Sequence, residues 1–255
     1  MHVLLIVRIF VARRKSIHDL DNEAREEARK GENKKKFTIH DLKGIKPLTT
    51  TQEEIFHADA EDANLLLRGS AGTGKSFLAF WLALRAILTP DSIYDKIVIV
   101  RSAVAVRDMG ALPGEESDKF APYERPYYHI CDELFPYSNS YENLKKNGYV
   151  EFEVTSYLRG NTISDAIYWV DEIQNMNAEE LYTVLTRVGK NCRVFLSGDT
   201  KQSDLHTNWD KSALEAWIPL LQRISSMRDI CFLPSDIVRS GFVKELITLK
   251  EEMNL

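Results

Sequence analysis

The sequence predicts one α/β domain with a parallel central sheet and helices on both faces. Short apolar runs, typical of buried strands, alternate with longer helical stretches, and this alternation favours parallel strands joined by helical crossovers. A glycine-rich loop also joins one of the apolar runs directly to a helix. With 255 residues, of which 44% are hydrophobic, the chain is long enough to bury the core of such a domain.

The domain is predicted over residues 37–255, after a charged and flexible segment, residues 1–36. Nine basic and six acidic residues lie within positions 13–36, which predicts a solvated helix or a disordered arm. The alternative to a purely solvated segment is that the basic triplet Lys34–Lys36 contacts a polyanion. The apolar run Val3–Val7 is too short to span a membrane, which needs about 20 residues. Basic residues follow this run rather than precede it, unlike those of a signal peptide.

Each element of the domain is predicted from a local pattern. Threonines before Gln52 predict a capped helix whose Ile55 and Phe56 point inward. The stretch 120–141 is dense in aromatic residues, which either stack on bases or, as we favour, pack a helix onto the sheet. Apolar runs predict strands at 64–68, 96–100, 149–157, 166–170, 192–196 and 230–233, and helices are predicted at 75–88, 178–188, 211–225 and 237–253.

The overall charge and the cysteines narrow the classes of function. A net charge of −5 argues against a uniformly basic nucleic-acid-binding protein, although a local basic groove is compatible with it. Cys131, Cys192 and Cys231 lie far apart in the sequence and form no metal-ligand spacing with histidines. Isolated cysteines are typical of free thiols in a reducing compartment, so we expect a cytoplasmic protein without a membrane partner.

The glycine-rich loop matches the phosphate-binding pattern G-x-x-x-x-G-K-[S/T] at every fixed position. Between a strand and a helix, such a loop directs backbone N–H groups and the positive helix end toward phosphates. Lys75 would reach the outer phosphates, and the Ser76 hydroxyl would bind Mg²⁺. The predicted nucleotide-binding residues are Gly69, Ser70, Ala71, Gly72, Thr73, Gly74, Lys75 and Ser76.

Carboxylates follow the third core strand, and more polar residues follow the fourth. Asp171 at the end of an apolar strand predicts a second Mg²⁺ ligand. The adjacent Glu172 would orient and deprotonate an attacking water, which predicts hydrolysis; the alternative is a pair of carboxylates that cap a strand. Asp199 and Gln202 leave the next strand, where ligands gather in parallel sheets, and would sense the γ-phosphate.

These motifs resemble those of the PhoH-like ATPases, a family that includes copies carried by phages. The resemblance runs from Pro47 to the C-terminus, with Ile173 where the family usually has alanine and without the extra domain of some relatives. It implies a RecA-like phosphate-loop NTPase fold that uses ATP and Mg²⁺. The matching segments are Leu65–Ser76, Asp171–Met176, Gly198-Asp199-x-x-Gln202-x-Asp204-Leu205 and shorter runs at 112–114, 121–123, 158–162 and 236–239.

The same elements resemble superfamily-one helicase motifs, which implies an ATPase acting on RNA or single-stranded DNA. Arg101-Ser102 and Arg107 would then contact the strand backbone, and Gln52 would read the adenine edge unless it only opens a helix. The second hypothesis is an ATP-dependent switch or assembly factor with protein partners and no nucleic acid. A small-molecule kinase is disfavoured, because a kinase needs no Glu172 beside its metal carboxylate.

The resemblance also implies a homo-oligomer, such as a hexameric ring. Helicases with these motifs complete the ATP site with an arginine from a second domain, and the sequence predicts only one domain. A neighbouring subunit would supply the arginine that stabilises charge on the transferring phosphoryl group. Arg239 is the first candidate for this catalytic role and Arg159 the second; the alternative for Arg239 is a structural salt bridge to Asp236.

Overall fold

The computed structural model describes residues 37–102, 116–155, 158, 160, 162–199 and 216–253. The predictions for the charged segment 1–36 and for Arg107, Arg159 and Gln202 fall outside these residues. No helix in the described ranges is long and apolar enough to cross a membrane.

A six-stranded sheet, parallel throughout, forms the centre of the fold. Its strands lie side by side in the order β3-β2-β4-β5-β1-β6, so that β5 separates β1 from β4. This sheet confirms the predicted α/β class of the RecA-like kind. The strands are β1 (Asn64–Gly69), β2 (Lys96–Arg101), β3 (Val150–Val154), β4 (Ala166–Asp171), β5 (Cys192–Gly198) and β6 (Met227–Phe232).

Helices cover both faces of the sheet, as predicted. Side chains on alternate positions of the strands point to opposite faces: Leu65 and Leu67 of β1 belong to one apolar cluster and Leu66 to the other. The first cluster includes α1 to α4, and the second includes α5 and α6. The helices are α1 (Thr50–Ala60), α2 (Lys75–Leu88), α3 (Glu116–Leu134), α4 (Ser140–Lys146), α5 (Ala178–Leu185), α6 (216–222) and α7 (Gly241–Glu252).

The aromatic stretch packs onto the sheet, in agreement with the favoured interpretation. Tyr127 on α3 and Tyr141 on α4 are buried, and both lie edge-on to Phe80 of α2. The last helix begins later than predicted, at Gly241. Pro234–Asp236 forms a short 3-10 turn after β6, and the chain then runs across the glycine-rich loop before α7 starts.

Candidate active site

The glycine-rich loop begins where β1 meets the end of β6. Gly69 has a backbone φ of +122°, and a Cβ placed there would lie 2.0 Å from the carbonyl oxygen of Phe232. Only glycine fits this close approach. The loop ends at Gly74, which immediately precedes α2. The N-terminus of α2 is thereby directed at the loop, as phosphate binding requires.

Lys75 is almost completely buried at the start of α2. Its Nζ donates hydrogen bonds to the carbonyl oxygens of Gly69 (2.8 Å) and Ser70 (2.7 Å). Burial lowers the pKa of Lys75, and the carboxylates of Asp199, Glu172 and Asp171 oppose that change. The loop therefore holds an ammonium group in the field of three carboxylates.

Asp171 at the end of β4 accepts hydrogen bonds from three hydroxyl groups. Ser76 Oγ (3.1 Å) and Ser197 Oγ (2.6 Å) donate to Oδ1, and the Tyr127 hydroxyl (2.9 Å) donates to Oδ2. Trp169 Nε1 donates to Ser197 Oγ at 2.7 Å and fixes that hydroxyl. Asp171 is 3% exposed, and in the described part of the chain no ammonium or guanidinium group lies within 4.0 Å of it.

Glu172 follows in a left-handed backbone conformation, with φ of +55°. Gln174 Nε2 donates to its Oε2, and Arg101 Nη2 lies 3.8 Å from its Oε1. Burial and the neighbouring Asp171 raise the pKa of Glu172, whereas the Gln174 hydrogen bond and Arg101 oppose this rise. The side chain remains one third exposed. It is therefore a carboxylate that water reaches and that binds a proton more readily than usual.

Gln174 connects the ends of β4 and β5. Besides its bond to Glu172, its Oε1 accepts a hydrogen bond from the backbone N–H of Asp199 at 3.0 Å. A Cβ on Gly198 would lie 2.5 Å from that oxygen, so a larger residue would displace the amide. Asp199 is buried, and its carboxylate acts on Lys75; its role in sensing the γ-phosphate stays a prediction.

Gln52 lies beneath the loop rather than on the surface. It is 3% exposed, its Nε2 donates to the carbonyl oxygen of Thr73 (3.2 Å), and its Oε1 accepts from Leu48 N (2.8 Å). Thr49 caps α1, as the sequence predicts, by accepting from the Gln52 backbone N–H. These contacts stabilise the loop backbone; the role at the adenine edge stays a prediction.

Arg239 is exposed and lies against the loop of its own chain. Val238 N donates to the Gly72 carbonyl oxygen (3.1 Å), and a Cβ on Gly72 would lie 2.9 Å from Arg239 Cγ. Asp236, the alternative partner, instead accepts from Thr51 Oγ1 (3.0 Å) and from Leu233 N (2.8 Å). A role for Arg239 in a neighbouring subunit stays a prediction.

Arg101 at the end of β2 turns inward, away from the surface position that strand contact requires. Its Nη1 donates to the Tyr123 carbonyl oxygen at 3.2 Å, and its side chain is 19% exposed. In the register of the sheet, Arg101 lies opposite Asp171. The arginine is therefore part of the carboxylate cluster.

Sequence reasoning assigned no role to Tyr127 or Ser197, which both bond to Asp171. Ser197 had a signal in the sequence, because a polar residue that ends an apolar run lies opposite Asp171 in the parallel register. Tyr127 had none, since its hydroxyl is hidden in a stretch of aromatic residues that pack in the core.

The meeting of Lys75 and Ser76 on one strand–helix junction with Asp171 at the end of another strand is typical of the phosphate-loop fold class. Residues 44–251 match the family described as PhoH-like protein. The chain belongs to this family.

Individual relatives agree with the family match. The PhoH-like protein of Mycobacterium leprae is 34% identical over 213 residues, 80% of this chain and 58% of the relative. The PhoH-like protein of Bacillus subtilis is 32% identical, over 83% of this chain and 66% of the relative. The Escherichia coli protein PhoH is 33% identical over 62% of this chain and 45% of the relative. The chain thus spans about half to two thirds of the length of these relatives.

Solved structures with a similar fold are more distant. The large terminase of a thermophilic bacteriophage, in complex with ADP, is 13% identical with a TM-score of 0.43, over 78% of this chain and 49% of that one. The Pif1 helicase from Bacteroides, in complex with ADP-AlF3 and single-stranded DNA, is 12% identical with a TM-score of 0.34, over 74% of this chain and 43% of that one.

Proposed function

We propose that this chain hydrolyses ATP in the presence of Mg²⁺. The observation that supports this most is the bond between Ser76 Oγ and Asp171 Oδ1, because it joins the phosphate-binding loop to a buried carboxylate. Both groups offer oxygen ligands, which Mg²⁺ prefers. A buried carboxylate with no ammonium or guanidinium group within 4.0 Å in the described residues is also suited to binding a cation.

In the proposed reaction, the loop N–H groups and Lys75 bind the phosphates. Glu172 accepts a proton from a water whose oxygen attacks the γ-phosphorus, and the bond to the bridging oxygen breaks to give ADP and inorganic phosphate. Mg²⁺ held by Ser76 and Asp171 would offset the phosphate charge. Asp199 and Gln202 are assigned to sensing the γ-phosphate, as the sequence predicts.

Two variants test this assignment because they separate binding from hydrolysis. Lys75→Ala should weaken both, since it removes a positive charge from the phosphate site. Glu172→Gln should retain ATP binding but slow phosphate release by about 10²-fold or more, the scale of a lost general base. Binding of a fluorescent ATP analogue and phosphate release should be measured for each. Glu179→Gln, an exposed carboxylate on α5, is the control. Equal loss of binding in both variants would contradict these roles.

We further propose RNA or single-stranded DNA as the substrate on which ATP hydrolysis acts. This rests on the resemblance of Asp171–Met176 and of the Gly198–Asp199 element to helicase motifs. Phosphate release should then rise with a single-stranded oligonucleotide, and the stimulation should weaken as salt rises, because phosphate contacts release counterions. Unchanged release at low salt with both RNA and DNA strands would exclude this substrate class.

An ATP-dependent switch with protein partners is the second candidate, and α7 favours it. Four apolar side chains recur along this helix and its end without being buried, the most exposed being Phe242 at 76%. They offer a surface that a protein would cover. ATP-dependent retention of a protein partner, without stimulation by nucleic acid, would support this candidate. The four side chains are Phe242, Leu246, Leu249 and Met253.

We also propose a homo-oligomer in which Arg239 stabilises the transferring phosphoryl group. An arginine in this role accelerates hydrolysis by about 10³–10⁵-fold. Arg239 lies against the glycine-rich loop of its own chain. The test must therefore distinguish an arginine that acts on the ATP site of its own chain from one that acts on the site of a neighbouring subunit. Mixing Arg239→Ala with Lys75→Ala subunits should restore activity only if arginine acts across the interface. If the mixture recovers no activity, and sedimentation in the presence of ATP shows only monomer, the shared site is contradicted.

A further inference from the structure

Tyr127 is the contact between α3 and the carboxylate of Asp171. Its hydroxyl donates to Oδ2 at 2.9 Å, whereas the two serines donate to Oδ1. Hydrogen bonds therefore reach both oxygens of the carboxylate from different elements. A carboxylate held at both oxygens cannot rotate freely about its terminal bond.

The tyrosine ring is itself fixed by packing. Its centroid lies 5.4 Å from that of Trp169, 5.9 Å from that of Phe80 and 6.1 Å from that of Tyr141. The side chain is completely buried. The Tyr127 hydroxyl is a phenol, and it donates its hydrogen to Asp171 as a neutral group. A neutral donor orients the carboxylate and leaves its negative charge in place.

The same helix also reaches the second carboxylate. The backbone carbonyl of Tyr123, one turn before Tyr127, accepts from Arg101, and Arg101 lies 3.8 Å from Glu172. The position of α3 thus bears on the orientation of Asp171 and of Glu172 together.

We propose that Tyr127 is a positioning residue for Mg²⁺ binding, which fixes the orientation of the Asp171 carboxylate toward the metal. This inference rests on the proposed function, because it takes Asp171 to be the metal carboxylate. Partners that orient a metal-binding group typically change metal affinity by about 10–100-fold when removed. The hydroxyl of Tyr127 is such a partner of the Asp171 carboxylate.

The test removes only the hydroxyl. Tyr127→Phe keeps the ring and its packing, and Tyr141→Phe is the matched control: Tyr141 is buried against Tyr127, but its hydroxyl donates to Glu124. A fluorescent ADP analogue is bound first in EDTA, and Mg²⁺ is then titrated. Tyr127→Phe should raise the Mg²⁺ midpoint by about 10–100-fold and leave the metal-free nucleotide affinity unchanged. Tyr141→Phe should leave both quantities unchanged.

Equal shifts of the midpoint in the two variants would overturn the proposal, because they would indicate a general effect of the aromatic core. An unchanged midpoint in Tyr127→Phe would also overturn it. If the wild type binds Mg²⁺ with ADP but releases no phosphate from ATP, the proposed hydrolysis is wrong. The Mg²⁺ midpoint of Tyr127→Phe would still decide whether Tyr127 positions Asp171. No effect of Mg²⁺ on nucleotide binding in the wild type would overturn both.

Discussion

Two buried aspartates at opposite ends of the sheet differ in the charge of their partners. Asp59, at the amino end, bonds to Arg193 Nη1 through Oδ1 (2.7 Å), and Arg85 lies against its Oδ2. Among the described residues, Asp171 at the carboxyl end accepts hydrogen bonds from hydroxyl groups alone. The two residues are similarly buried, at 7% and 3% exposure.

This difference separates a structural carboxylate from a candidate metal-binding one. The guanidinium groups of Arg193 and Arg85 compensate the charge of Asp59 inside the protein. Three neutral hydroxyls satisfy the hydrogen bonds of Asp171, and Lys75 and Arg101 act on its charge only from beyond 4.0 Å, so a bound cation could compensate it at close range. The partners of a buried carboxylate are thus a better guide to its role than its burial.

Removing the two charges should therefore have different effects on stability. Asp59→Asn leaves Arg193 buried without its carboxylate, which should lower the free energy of unfolding by about 3–5 kcal/mol. Asp171→Asn removes a buried charge that has no cationic group within 4.0 Å in the described residues, so the free energy of unfolding should stay the same or rise. Urea denaturation without metal or nucleotide measures both values.

Asp62→Asn is the control for the amino-end cluster. This aspartate lies 3.4 Å from Arg193, but its side chain is 61% exposed, and its loss should change stability little. If Asp171→Asn destabilised the protein as much as Asp59→Asn, Asp171 would be a structural residue as well, and the distinction between the two aspartates would be wrong.

The sequence predicted those parts of the site that lie within one contiguous segment. The loop from Gly69 to Ser76 and the pair Asp171–Glu172 are each readable from a strand and the residues that follow it. The parallel sheet then brings Ser76 and Asp171 together, since both follow the carboxyl ends of their strands. The fold class could also be predicted, because each strand and helix is likewise one contiguous segment.

The rest depends on packing between distant segments. Tyr127 reaches Asp171 because its ring packs against Trp169 of β4, and no local pattern fixes which tyrosine faces the carboxylate. Arg101 was predicted to face a nucleic acid, but the Tyr123 carbonyl and Glu172 lie beside it and draw the guanidinium inward. Side-chain direction at a strand end follows from such neighbours.

Glu172 is intermediate between the two aspartates, because it lies near both a guanidinium and a second carboxylate. Burial and Asp171 raise its pKa, and Arg101 opposes the rise. As a general base it must be ionised, so the rate should fall as the pH drops through a value above the ordinary glutamate pKa of about 4.3. The shift of this acid limb on removal of Arg101 measures how strongly Arg101 acts on Glu172.

Arg101→Ala should move that acid limb to higher pH, because it removes a charge that favours ionised Glu172. It should also slow basal phosphate release by a few-fold, since a partly exposed ion pair such as that of Arg101 and Glu172, 3.8 Å apart, contributes up to about 1 kcal/mol. If the variant changes only the stimulation by nucleic acid and leaves the basal pH profile unchanged, the predicted contact of Arg101 with a nucleic-acid backbone is supported instead.

Arg228→Ala, which removes an exposed arginine paired with Glu61, is the control. A shift in the acid limb for Arg101→Ala but not for Arg228→Ala would place the guanidinium in the carboxylate cluster, where it partly compensates Glu172 as Arg193 compensates Asp59.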